Sequence, residues 1–339
     1  MKKNKKKKIS IGLKIIITII VLILIVGITA FALVKSKLGK INQASESEFE
    51  VIPPESEYFE TEAVEDILKD LPQLKPEEVE WDAQKDIMYD KDITNILLIG
   101  QDRREGEGRA RADSIILATI NKKTKSIQLT SIMRDLYVQI PGYSDNRINA
   151  AYAFGGMELL EETVELNFGI EIDGNIEIDF NGFIASIDTI GGIEMELNQE
   201  EALHLNAENG WNLISGVNHL TGEQALAFSR IRYVGNSDYE RTDRQRRVVM
   251  TVFDKMQNAG ISALVGLVDE IFPLLTTDLT HGDMIAYTTS ILVNRITGIE
   301  SYRIPIDGGF QAALISGMQV LVPDLAVTYE YLQEIIYNR

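Results

Sequence analysis

The chain has 339 residues, a formal net charge of −18 and no cysteine. The lack of thiols excludes disulfides and thiolate metal sites, so stability rests on the size of the core. So negative a field argues against general binding of polyanions, nucleic acid included: any anion it holds must be gripped locally.

Residues 1–14 form a basic tail opening with "MKKNKKKK", and residues 15–34, "IIITIIVLILIVGITAFALV", carry no charge. Twenty helical residues extend about 30 Å, the thickness of a hydrocarbon core. Seven lysines precede this span and three follow it, with no acid before residue 41. That asymmetry predicts a single-pass cell-membrane protein with a cytoplasmic N-terminus and the rest outside the cell. No A-x-A cleavage pattern follows, so the segment reads as an anchor, and the setting as a Gram-positive envelope. Residues 41–92 hold seventeen acids against four lysines. On that composition, residues 35–92 read as a solvated, extended extracellular stalk.

From residue 93 the texture becomes that of a folded domain, 93–339. "ITNILLIGQD" reads as a buried strand, followed by two strands around a turn at 121–126. "NRINAAYAFGGMELLEETVELNFG" reads as a helix stopped by Gly169, and residues 171–198 as strand, helix, strand. Thr221 and Gln224 have capping-box spacing for a helix reaching Ser229. Long helices are expected near 243–259 and 264–272, the second stopped by Pro273. The tail reads as a helix, strands at "ESYRIPI" and "MQVLVPD", and a last helix through "AVTYEYLQEIIY". Such alternation predicts one α/β domain with helices on both faces of a sheet.

The chemistry concentrates in two stretches. Residues 230–247, "RIRYVGNSDYERTDRQRR", carry six arginines and three acids. Projected at 100° per residue, Arg241 and Gln245 fall on the apolar stripe of Val248, Val249, Val252 and Met256, while Arg247 falls on the solvated side. An extended segment would aim Arg230 and Arg232 to one side. Two readings fit: guanidinium groups converging on a phosphate or pyrophosphate at a helix start, or an internal ion-pair network with Asp238, Glu240 and Asp243. In the second stretch, "GQDRREGEGRARADSI", Asp102 closes one strand and Asp113 opens the next. Their carboxylates suit Mg²⁺ or Mn²⁺, or else pair with the local arginines. Arg134 again follows a strand. No Walker A, HExxH or GxSxG pattern occurs, and His204, His219 and His281 are isolated.

"NILLIGQD", "RADSIILATI", "SIMRDLYVQIPG", "RINAAYAFGG", "DFNGFIASIDTIGGI" and "LTGEQALAFSRIRYVGNSDYERTDRQRRV" resemble, in this order, the motifs of the LytR-CpsA-Psr family. The resemblance implies an α/β/α sandwich with a central mixed sheet and a long apolar lipid pocket. It implies an extracellular phosphotransferase that moves a glycopolymer from a polyprenyl-pyrophosphate carrier to peptidoglycan. A pyrophosphatase and a non-catalytic lipid-binding scaffold are the alternatives; an anchored transcription regulator is disfavoured by placement outside the membrane. The family's metal aspartates correspond to Asp102 and Asp113, with Mg²⁺ (or Mn²⁺) as cofactor. Its pyrophosphate groups correspond to Arg111, Arg134, Arg147, Arg230, Arg232, Arg241 and Gln245, with Asp238 nearby; Arg134, Arg230, Arg232, Asp238, Arg241 and Gln245 are the catalytic set. Arg147 stands where the family usually has lysine, Met133 where proline is frequent, and Gln101 where a small residue is usual.

Overall fold

The computed structural model describes residues 42–43, 71–81, 86–101, 109–232, 234, 238–258 and 270–338. The basic tail, the apolar span 15–34, Asp102 and most of the helix expected at 264–272 lie outside these residues. Among the described residues no helix is long and apolar enough to cross a membrane.

In chain order the elements begin with β1 (Asn42–Gln43), β2 (Gln73–Leu74), β3 (Ile93–Gln101), β4 (Ala112–Asn121), β5 (Ser126–Ile132), β6 (Tyr137–Val138) and β7 (Asn146–Arg147). Next come α1 (Ile148–Phe168), β8 (Gly174–Asp179), α2 (Phe180–Thr189), β9 (Ile193–Leu197), α3 (Gln199–Asn209), β10 (Gly216–Leu220) and α4 (Gly222–Ser229). The chain continues with α5 (Asp238–Asn258), β11 (Leu275–Thr277), α6 (His281–Asn294), β12 (Gly298–Ile304), β13 (Phe310–Ile315), β14 (Met318–Pro323) and α7 (Leu325–Leu332).

Among the described residues, seven strands form the central sheet in the order β1-β11-β8-β3-β4-β5-β12. It is mixed: β3 runs antiparallel to β4 and parallel to β8, while β5 runs parallel to β12. Period-two alternation divides its apolar residues between two cores. Leu97, Ile99, Ile115 and Leu117 pack with α1 and α7 on one face. Ile96, Leu98, Ile116 and Ile120 face α5 and α6 on the other. Helices therefore cover both faces, as expected. A third core, built from α2, β9, α3, β10 and α4, adjoins α5.

Local signals explain the element ends. Gly169 closes α1 in the left-handed region at φ 63°, where a Cβ would be strained. Thr221 and Gln224 form the foreseen capping box on α4, and Asn198 and Glu201 form an unforeseen one on α3.

Two expectations need correction. The stalk assigned to 35–92 is partly body: β1 pairs with β11, and β2 pairs with β13. Trp81 stacks on Tyr137 at 6.1 Å and donates to Asp145 at 2.8 Å, and Met88 is buried. The abundant acids masked these scattered apolar anchors. The long helix starts at Asp238 rather than Asp243, which places Arg241 in its first turn.

Candidate functional site

One wall of the site comes from two strand ends. β3 and β4 pair with Gly100 opposite Ser114 and Gln101 opposite Ala112, so Asp113 is the extra residue of a β-bulge. Bulges re-aim side chains at sheet rims. Arg134, two residues past β5, reaches back to it, with Nη1 2.5 Å from Asp113 Oδ1. Asp102 lies outside the described residues.

The second wall is α5. Arg241 (4% exposed) and Gln245 share a face with Val248, Val252 and Met256, and all five line one cavity of about 700 Å³. From Arg241 to Met256 that face rises about 22 Å. It passes from guanidinium and amide to aliphatic side chains and thioether. Leu98 and Ile116 of the sheet, Ile176 of β8 and Phe183 of α2 continue the apolar lining.

Arg230 and Arg232 line the same cavity, although not from an extended segment. Arg230 caps α4 in helical conformation (φ −101°, ψ −3°) and stacks over Phe180 at 4.6 Å. The structure thus brings Asp113, Arg134, Arg230, Arg232, Arg241 and Gln245 together.

Others lie elsewhere. Arg147 does not line the cavity: its Nε donates to the Gln319 carbonyl at 3.0 Å and lies 3.5 Å from Asp135 Oδ1. Asp135 Oδ2 in turn lies 3.7 Å from Arg134 Nε, so Arg147 connects to the site through Asp135. Arg111, half-buried before β4, is also absent from the lining. Asp238 begins α5.

The remaining arginines of the 230–247 stretch make the ion-pair network. Arg244 is 1% exposed, with Nε 2.8 Å from Glu201 and Nη2 2.9 Å from Glu240. Arg246 donates to Ser301 (2.6 Å) and Ser131 (2.7 Å) and pairs with Asp243, while burial pushes its pKa below the usual arginine range. Arg247, expected in solvent, pairs with Glu201 at 3.2 Å and packs over Phe228. The ion-pair reading is met by Arg244 with Glu240 and Arg246 with Asp243, while Arg241 and Gln245 line the cavity from another face of the same helix.

Asp179 was missed. It lines the cavity and caps α2, accepting from the Gly182 amide at 2.8 Å. The legible clue was an aspartate directly before a helical pattern.

Residues 58–331 match the LytR_cpsA_psr family. The chain is 36% identical over 219 residues, 63% of its own length and 69% of the relative's, to the polyisoprenyl-teichoic acid–peptidoglycan teichoic acid transferase TagU of Bacillus mycoides (strain KBAB4). A solved structure described as TagT bound to LI-WTA is 27% identical, with a TM-score of 0.61 over 74% of this chain and 94% of that one. Another, the family protein YwtF (TagT) with bound octaprenyl pyrophosphate lipid, is 25% identical, with a TM-score of 0.57 over 74% and 93%.

Proposed function

The chain belongs to the LytR_cpsA_psr family, and we propose that it is a membrane-anchored extracellular phosphotransferase. It moves a glycopolymer, such as teichoic acid, capsule or another wall polysaccharide, from a polyprenyl-pyrophosphate carrier to peptidoglycan through a phosphodiester. The observation that carries this reading is the cavity's gradient. Four arginines and a glutamine, with Asp113 beside them, give way along α5 to a largely apolar lining, which complements a lipid that ends in a diphosphate. The transferase name of the TagU relative and the octaprenyl pyrophosphate of the TagT structure support it.

The residues act by position and charge. Arg134, Arg230, Arg232 and Arg241 offset the diphosphate's charge and the charge that builds on the departing polyprenyl phosphate. Gln245 adds amide donors, and Asp113 holds Arg134. A muramic-acid hydroxyl attacks the phosphorus bearing the sugar, and the anhydride bond to polyprenyl phosphate breaks. The hydroxyl proton passes to a carboxylate, for which Asp102 and Asp238 are the candidates.

The lining fits Mg²⁺ or Mn²⁺. Its anionic donors, Asp113 and Asp179, are hard carboxylate oxygens. Among the described residues no group of three or more His, Cys, Asp or Glu forms a cage of its own. That suits an ion held by one or two carboxylates plus substrate phosphates. Asp113, with Asp102, would hold it, and when bound it neutralises phosphate charge.

The test supplies the purified chain with polyprenyl-pyrophosphate-linked glycan, with and without peptidoglycan oligomers. A joined product that requires both is expected. Glycan phosphate released into water with no joining would make the protein a pyrophosphatase, and tight lipid binding without turnover a scaffold.

A further inference from the structure

On the other side of α5 lies a second cavity of about 520 Å³, with a different lining. Its walls include Asn198 before α3, Tyr239 and Asp243 on α5, Arg303 of β12 and Asp307 just beyond it. We propose that this groove seats the acceptor glycan, a chain of hydroxyl- and carboxylate-bearing sugars, during transfer. The inference rests on the functional reading above.

Place is the first argument. Tyr239 and Arg241 share the first turn of α5, one in the groove and the other in the tunnel mouth. A helix with its side chains is about 10 Å across, so a chain lying in the groove delivers a hydroxyl to the diphosphate without a large movement. Arg246 connects the groove to the strand that leads to the mouth. It lines the groove and donates to Ser131, three residues before Arg134 of the mouth.

Chemistry is the second. The tunnel mouth is dominated by guanidinium groups, whereas the groove sets four arginines against four carboxylates. A charge-balanced wall has little preference for a polyanion and offers donors and acceptors in equal measure. Sugar hydroxyls need both.

Preorganisation is the third. Arg303 lies over the Tyr239 ring at 4.3 Å and pairs with Asp307 at 2.7 Å. Arg246 is fixed by two serines and Asp243, whose side chain stays 51% exposed. These groups already hold their geometry, so an incoming glycan orders few side chains on binding.

The test uses the full chain with Arg303→Gln and, separately, Asp307→Asn; the Asp307 side chain is 90% exposed and its change leaves the core intact. Each variant is expected to raise the KM for peptidoglycan oligomers at least fivefold. The Kd for octaprenyl pyrophosphate, measured by calorimetry, should stay within twofold of wild type. An unchanged acceptor KM in both variants overturns the proposal. So does weaker binding of the polymer-bearing donor, since that assigns the groove to the donor's glycan. Wild-type protein that binds no octaprenyl pyrophosphate would instead sink the functional reading, whereas wild-type transfer with unaltered variants sinks only the groove.

Discussion

Arg241 and Arg244 sit three residues apart on α5 and serve different ends. Arg241 lines the tunnel mouth, and Arg241→Ala is expected to lower kcat/KM by 10²–10³-fold, about 3–4 kcal/mol, as for removal of one electrostatic donor. Single-turnover transfer measures this, and near-unchanged turnover would remove Arg241 from the mechanism. Arg244 pairs with Glu201, and both side chains are at most 2% exposed. Arg244→Met leaves that carboxylate short of a buried partner and is expected to cost about 3–5 kcal/mol of stability in urea unfolding. The helical projection separated Arg241 and Gln245 from the rest, because a helix wheel is local information. It put Arg247 on the side away from the tunnel, where it lies, but could not show its partner Glu201, 46 residues upstream on a helix the sequence reading had not found. Arg147 was illegible for the same reason: its anchor is the carbonyl of Gln319, 172 residues away.

At the scale of elements, α5 is a shared partition, with the tunnel on one face and the ion-pair network on another. The apolar stretch of its tunnel face should read carrier length. Each added isoprene unit is expected to tighten binding at least tenfold until the tunnel is filled, on about 0.8 kcal/mol per buried CH₂. Competition between prenyl pyrophosphates of different length checks this, and length-independent affinity would place the chain outside the tunnel. Strands buried on both faces, such as β3 and β4, were legible as continuous apolar runs. α3 was not: in "QEEALHLNAEN" only Glu201, Ala202 and Leu205 are buried, too few to show a period. β13 also escaped notice, and part of its pairing comes from β2, in a segment whose charge reads as solvent-exposed. The bulge that frees Asp113 depends on strand register, which residue order does not specify.

Across the whole molecule, charge links stability to pH. Burial pushes the Glu161 carboxyl up to about 7; the Asn175 amide opposes this, and Asp278, Glu165 and Glu158 add to it. The native chain keeps this proton to about pH 7, whereas an unfolded one loses it near 4.5. The native state therefore binds more protons within that window, and this group's contribution to stability is lost as pH rises through it. Urea midpoints at pH 5 and pH 8 should show the decline, and Glu161→Gln should flatten it. An undiminished decline in that variant would assign the effect to other acids.

The pairing of Asn42–Gln43 with β11 bears on how the substrate arrives. Leu275, the first residue of β11, lines the tunnel, as does Ile271. With residues 15–34 placed in a bilayer, as proposed, the seven residues 35–41 reach no further than about 25 Å. On that proposed placement, the side of the cavity lined by Ile271 and Leu275 would be moored close to the outer leaflet. A prenyl tail would then slide from lipid into protein with little passage through water, and loading would not depend on a shuttle to carry the donor across an aqueous gap.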